Sequence, residues 1–221
     1  SGAVFQAVSK NPMASPDLLG VSAGAGMAVM LYTFVKPDGN GGNIFLLPVI
    51  ALTGAFAAAT FIYFMAHRKE EGISPKSMVL VGIALTAGIN GADILIAVRL
   101  SPEQFHQVNT WMIGSVYGNS WKHVAALLPW VLVLIPVLFM KSSDLDLLQL
   151  KDESSINLGM ELKKNRFLYL IMAVALAAAC VSIGGAIGFI GLICPHLAAR
   201  LVGGSHRYRI PAAALLGAIL L

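Results

Sequence analysis

"FLYLIMAVALAAACVSIGGAIGFIGLIC" runs from Phe167 to Cys194 without a charged residue. An uncharged apolar run of about 18 residues or more is long enough to cross the hydrocarbon core of a bilayer. This run exceeds the need of one crossing. Its first half is rich in Ala, Leu and Val, and its second half is punctuated by glycine, in "IGGAIGFIGLICPH" (183–196). The pattern predicts a span ending near Gly184–Gly188, a broken stretch, and a short second helix from Pro195 to Val202, closed by "GGSH" (203–206). Lipid offers backbone groups no hydrogen bonds. Irregular backbone at this depth must therefore be buried in protein or line a cavity.

Runs of the same kind occupy Leu18–Val35, Asn43–Ala66, Met78–Val98 and Val124–Met140, and another begins at Ile210. The chain has 221 residues, of which 57% are hydrophobic and 12% charged, and its mean hydropathy is +0.77. Soluble domains carry about 25% charge, and a soluble protein with a large core would not hold so many uncharged runs. The opening "SGAVFQAV" reads as the tail of an earlier span, the last run reaches Leu221, and the chain does not start with Met. The expectation is one transmembrane domain over 1–221, incomplete at both ends. A net charge of +4 is no sign of nucleic-acid binding, because the basic residues sit in short loops between spans.

Those loops set the orientation. Lys and Arg concentrate in short loops on the cytoplasmic side. Numbered alternately, one side holds Lys10, Arg68, Lys69, Lys76, Lys141, Lys151, Lys163, Lys164 and Arg166, and the other only Lys36, Arg99 and Lys122. The first side is expected inside the cell, with the long connection 141–166. Trp111, Trp121 and Trp130 lie in or beside the opposite connection 99–123, where an interfacial aromatic belt would sit. There "SPEQ" (101–104) supplies a Ser cap, Pro at the first helical position and Gln three residues after the cap. Phe105, Val108 and Met112 share a helical face and Gly114 can end the helix, which predicts a short amphipathic helix on the outer surface.

Within the spans, Gly20 and Gly24, with Ala28 one turn on, and Gly184 with Gly188, have the spacing of small residues at close helix contacts. Pro129 and Pro136 should bend the run Val124–Met140. Asp93 is the one acid deep in a run, with Asn90 a turn before it. An ionisable group at that depth is a functional candidate, and a buried polar contact or a water-reached site near the outer end is the alternative. Cys180 and Cys194 read as small buried residues. Cys194 with His196 is too small a set for a metal, and His196 reads as a locally bonded helix-start residue. His206, Arg207 and Arg209 read as a cytoplasmic basic cluster. The sequence contains no GxxxxGK[ST] loop, HExxH or GxSxG, so no catalytic constellation emerges.

The polar stretch "DLDLLQLKDESSINLGMELKKNR" (144–166) breaks the greasy pattern. Leu147, Leu148, Leu150, Ile156 and Leu158 are too many apolar residues for a solvated linker. A partner could bury them, with Lys151, Asp152 and Glu153 pairing at its rim; alternatively the segment packs on its own membrane domain.

Four segments carry a family resemblance: "GAVFQAVSKNPMASPDLLGVSAGAG" (2–26), "SPEQFHQVNTWMIGSVYGNSW" (101–121), "LLQLKDESSINLG" (147–159) and "GAIGFIGLICPHLAARLVGGSHRYRIPAAALLGA" (185–218). In this order the chain resembles the FecCD-type permeases, membrane subunits of bacterial ABC importers for ferric siderophores, haem and cobalamin. The resemblance implies an all-α polytopic bundle of about ten transmembrane helices in the full protein, of which roughly seven to eight are represented here. The most specific segments contain Asn11, Pro12, Gly20, Gly24, Gly188, Gly191, Pro195 and His196 as structural motif residues. Residues 141–166 become a coupling loop whose Leu147, Leu148, Leu150, Asp152, Glu153, Ile156, Leu158 and Gly159 would meet an ATPase subunit. Lys151 stands where the family pattern has Gly, and Ser155 where it has Ala.

The resemblance further implies a permease pair, identical or similar, two ATPase subunits, and a periplasmic or lipid-anchored binding protein, in the bacterial cytoplasmic membrane among its lipids. ATP would belong to the partner subunit, and this chain would bind no cofactor or metal and no nucleic acid, and would not be an enzyme. Asn90 and Asp93 are the candidates for the translocation path. Ferric siderophore is the expected cargo, with haem or cobalamin as alternatives. A secondary transporter without an ATPase would need more intramembrane charge, and a membrane-embedded enzyme a polar cluster in the spans.

Overall fold

The structure is a computed structural model that describes residues 1–17, 20–36, 46–68, 72–116 and 120–221. Among the described residues the helices in chain order are α1 Gly2–Ser9, α2 Val21–Val35, α3 Leu46–Ala66, α4 Pro75–Ala97, α5 Pro102–Ile113, α6 Trp121–Met140, α7 Ser142–Gln149, α8 Asp152–Asn157, α9 Leu162–Gly184, α10 Ile190–Val202 and α11 His206–Leu220. A two-residue antiparallel ladder, β1 His67–Arg68 with β2 Gly72–Ile73, closes the turn between α3 and α4. Helix dominates because a chain this apolar must pair its backbone internally in lipid. Among the described residues four helices, α3, α4, α6 and α9, are long and apolar enough to cross a membrane.

Helix α9 is the hub. It is buried along most of its length, and it packs against α1, α2, α3 and α6. Its Ala-rich middle, Ala173 to Ala179, allows that crowding, since small side chains let helices approach. Helix α6 is exposed along nearly all of its length, and it continues through both Pro129 and Pro136. Trp130 lies at the middle of α6, about 13 Å along the axis from Trp121, so of the three tryptophans it stands apart from an interfacial belt.

Helices α2 and α3 cross in close contact. A Cβ on Gly24 would stand 2.5 Å from Ala58 Cβ and 2.6 Å from the Gly54 carbonyl oxygen. Gly54 in turn has Ala28 Cβ 2.5 Å from its own Cβ position. Gly24 and Ala28 thus serve the close contact read from their spacing. Gly20 does not: it precedes the helix with φ +67, a left-handed conformation that glycine adopts without steric cost.

Two expected elements have different bounds in the structure. Helix α2 covers Val21–Val35 of the run read from Leu18; Leu18, Asn43 and Lys69 lie outside the described residues. The second helix after the break begins at Ile190 rather than Pro195. Phe189 precedes it with φ +65, a strained conformation for a bulky residue. Pro195 then falls inside the helix and frees the carbonyl four residues back, on Gly191. That carbonyl lies directly against Gly2 of α1, where any Cβ would overlap it. The segment before α2 meets the break before α10, with Pro16 against Gly191 and Asp17 beside Gly188. The two irregular stretches therefore shield each other, as lipid requires. Gly184 ends α9 and Gly188 lies within the break, so this pair is not one helix face. The close approach is instead at Gly185, φ +73, whose Cβ would stand 2.7 Å from Gly114 Cα.

Helix α5 forms as read. Ser101 accepts from Gln104 N, and Gln104 Oε1 accepts from Ser101 N at 2.9 Å. Gln104 Nε2 also donates to the Thr33 carbonyl at 2.9 Å, which ties α5 to the end of α2. Val108 is buried and Met112 reaches Gly26, whereas Phe105 stays exposed. At its end Ser115 N donates to the Gly184 carbonyl at 2.8 Å, docking α5 on the break.

Candidate functional site

On the face opposite α5, the ends of several spans gather around the polar 141–166 segment. Helices α7 and α8 are too short to stand alone, since isolated helices below about 12 residues are marginal in water. Three carboxylates hold the segment in place. Asp144 accepts from the Tyr169 hydroxyl of α9 at 2.7 Å. Asp146 Oδ1 accepts from the backbone N–H of His206 at 2.8 Å and lies 2.5 Å from His206 Nδ1, while its Oδ2 accepts from Ser205 Oγ at 3.1 Å. It thus satisfies an open donor at the start of α11. Asp152, first residue of α8, accepts from Arg166 Nη2 of α9 at 2.6 Å and pairs with Lys10 at the end of α1. Lys10 also donates to the Leu150 carbonyl.

Electrostatics follow the geometry. Burial alone would push the Asp152 carboxyl up, but the hydrogen bonds and charges of Lys10 and Arg166 outweigh it and hold the group below its ordinary 3.8. Arg166 is almost fully buried, and Asp152 is its ion-pair partner. A second buried cation, Arg209, donates through Nε to the Pro195 carbonyl at 3.1 Å and through Nη2 to Gln6 Oε1. His206 and Arg209 are buried connectors between α1, α7, α10 and α11, so two of the three residues read as a basic cluster are engaged inside the fold. Only Arg207 of the three is exposed.

The apolar residues of the segment divide. Leu145 and Leu148 are fully buried in the chain's own core, with Leu147 packed against it. The expectation that Leu148 meets a partner therefore fails, because its side chain already completes this fold, and for Leu148 the own-domain alternative holds. Leu150, Ile156 and Leu158 remain 43%, 57% and 63% exposed, on a surface that also carries Lys151, Glu153 and Gly159. Asp152 is engaged by Lys10 and Arg166 rather than free at a rim. Ser155 is buried and donates to the Leu147 carbonyl at 2.8 Å, linking α8 to α7. Gly159 turns with φ +84.

The other candidates lie apart from this segment. Asp93 is buried near the end of α4 and neither of its carboxylate oxygens has a hydrogen-bond partner among the described residues. Asn90 is exposed where Asp93 is buried, and the two do not share one surface. Asn11 accepts from Met13 N at 3.0 Å in the turn after α1, where Pro12 is exposed. His196 is exposed in the middle of α10, not at its start, and Cys194 beside it is buried. Among the described residues no three His, Cys, Asp or Glu side chains gather as a metal site would.

Sequence reasoning did not single out Asp144, Asp146, Gln6, Lys10, Ser205 or Arg166 as parts of this arrangement. The one available signal was their polarity at span ends and, for Gln6, inside an apolar helix.

Comparison with known proteins gives this arrangement its context. The iron(3+)-hydroxamate import system permease protein FhuG of Bacillus subtilis (strain 168) is 38% identical over 225 residues, spanning 100% of this chain and 66% of the relative. The Fe(3+)-citrate import system permease protein YfmE of the same organism is 39% identical, over 100% of this chain and 65% of the relative. The Fe(3+) dicitrate transport system permease protein FecD of Escherichia coli (strain K12) is 33% identical, over 100% and 67%. The chain thus spans about two thirds of the length of these relatives. In three dimensions it is similar to a metal-chelate type ABC transporter solved in an inward-facing conformation, with a TM-score of 0.88 at 25% identity, covering 99% of this chain and 68% of that one. The model of the FecCD transport family matches residues 1–221, and with an all-helical membrane bundle of matching shape the conclusion is direct: this chain belongs to the FecCD transport family.

Proposed function

We propose that the chain is the permease part of an ATP-driven importer that carries ferric chelates across the bacterial cytoplasmic membrane. The observation that carries this reading is the exposed trio Leu150, Ile156 and Leu158 on a polar segment that is itself tied to α1, α9 and α11. An apolar patch inside a charged rim has the anatomy of a docking surface. Family membership and the iron-import names of the relatives support the cargo and the direction. The ATPase subunits would seat on α7 and α8 from the cytoplasm, where the excess of Lys and Arg places these helices, and would hold the ATP. A second permease subunit would complete the path, and a binding protein would deliver the chelate from outside.

The mechanism is alternating access: ATP-driven closure of the ATPases favours one arrangement of the spans over another through differential binding. The permease does no bond chemistry in this scheme. Its role is to present a shaped path and to convert motion at α7–α8 into motion of the spans.

The test is co-purification of the ATPase with the full-length permease. Leu150→Asp or Leu158→Asp should abolish it while membrane insertion and yield stay unchanged, because both side chains are exposed. Capture of the ATPase by both variants at the wild-type ratio would overturn the docking assignment. Uptake of ferric citrate or ferric hydroxamate by cells lacking any ATPase partner would overturn the importer reading in favour of a secondary transporter.

A further inference from the structure

The trio explains where a partner could bind, but not how its movement would reach the membrane. That needs stiff connections, and the segment has them at separate places. Asp152 joins the start of α8 to Lys10 of α1 and Arg166 of α9. Asp146 joins α7 to the start of α11 through Ser205 and His206. Asp144 joins α7 to Tyr169 of α9. Between the first two, Ser155 fastens α8 back to α7.

From these contacts we infer that Asp146 and Asp152 are positioning residues that transmit movement of the α7–α8 segment to the spans. The inference rests on the permease reading above. The chemistry suits the task. Each carboxylate accepts more than one donor, and donors on rigid helix ends fix its position in several directions at once. Charge-assisted hydrogen bonds are also the stronger and shorter ones. Asp152 carries the further duty of pairing Arg166, whose buried guanidinium would otherwise stand uncompensated. The exposed trio lies on the same segment as both links. A push on the trio is therefore carried to α1, α9 and α11 together, rather than absorbed by a hinge.

The experiment uses the complete permease reconstituted in liposomes with its ATPase and binding protein, with ferric citrate and ferric hydroxamate as transported probes. Asp146→Asn and Asp152→Asn are compared with wild type and with Glu161→Gln, an exposed carboxylate whose ion pair among the described residues is with Lys164 at the surface. In both link variants the ATPase should co-purify at the wild-type ratio and hydrolyse ATP at the wild-type basal rate. Uptake should fall by about five-fold or more, the range of coupling between separate sites. Glu161→Gln should transport normally.

Wild-type uptake in the link variants would overturn the inference. Loss of the bound ATPase in parallel with uptake would do the same, since the carboxylates would then shape only the docking face. Should Asp152→Asn fold poorly, Lys10→Gln removes one side of the same link with Arg166 still paired. It should show the same split between hydrolysis and uptake, and normal uptake in it would count against the link. Failure of the wild-type permease to bind any ATPase would overturn the underlying permease reading instead.

Discussion

At the scale of single residues, Asp152 gives a signed prediction. Its folded carboxyl lies below 3.8 because Lys10 and Arg166 hold the charged form. A depressed folded value means that the link contributes fully above the ordinary carboxylate range. That contribution disappears as pH falls through the lower folded value. The protection of α8 against hydrogen exchange in the full permease, relative to the unstructured rate at each pH, should therefore hold from neutral pH down to about pH 4 and fall below it, and Asp152→Asn should remove that step. The exposure of Asp152 keeps the effect small. At Gly54 the effect is steric. A leucine there would collide with the α2 backbone at Gly24, so Gly54→Leu should lower the thermal midpoint of the detergent-solubilised permease, with a cost of about 1–3 kcal/mol.

At the scale of elements, what could be read in advance depended on how local the cause was. Helix α5 was legible to the residue, because Ser101, Pro102, Gln104 and Gly114 act on one another within a few positions. The break after α9 was legible as a run of glycine, but the restart was misplaced at Pro195. Proline commonly opens a helix, and only the neighbouring α1 shows why it can sit inside this one. The carbonyl it frees at Gly191 is covered by Gly2, far away in sequence. The coupling segment was legible as polar and amphiphilic, yet Leu148 could not be told from Leu150 without knowing which side meets the spans. The Arg209 to Gln6 pair joins residues separated by nearly the whole chain, and no local pattern announces it. For α5 itself, Gln104→Ala should remove the Oε1 half of the capping box and the tie to Thr33 while the Ser101 hydroxyl still caps the helix, speeding hydrogen exchange of 102–113 by roughly five-fold, the equivalent of about 1 kcal/mol.

At the scale of the whole molecule, the structure separates two ends. One gathers Lys10, α7, α8 and the start of α11, and the other holds α5 against the turn after α9. In a background with Cys180 and Cys194 replaced, a membrane-impermeant maleimide added to intact cells should label Glu103→Cys and spare Lys151→Cys, and inverted vesicles should give the reverse. Labelling of both from one side would contradict the proposed orientation. The contact between Gly2 and Gly191 carries a different kind of consequence. Because the Gly191 oxygen occupies the space of a Cβ at position 2, that site has no smaller alternative to glycine and no larger one that fits. A saturation library selected for growth on a ferric chelate should return a single codon family at position 2, while the exposed Pro12 in the turn after α1 accepts other residues. Selection there would be acting on a lone pair of electrons that has to be kept out of hydrocarbon, and not on any side chain.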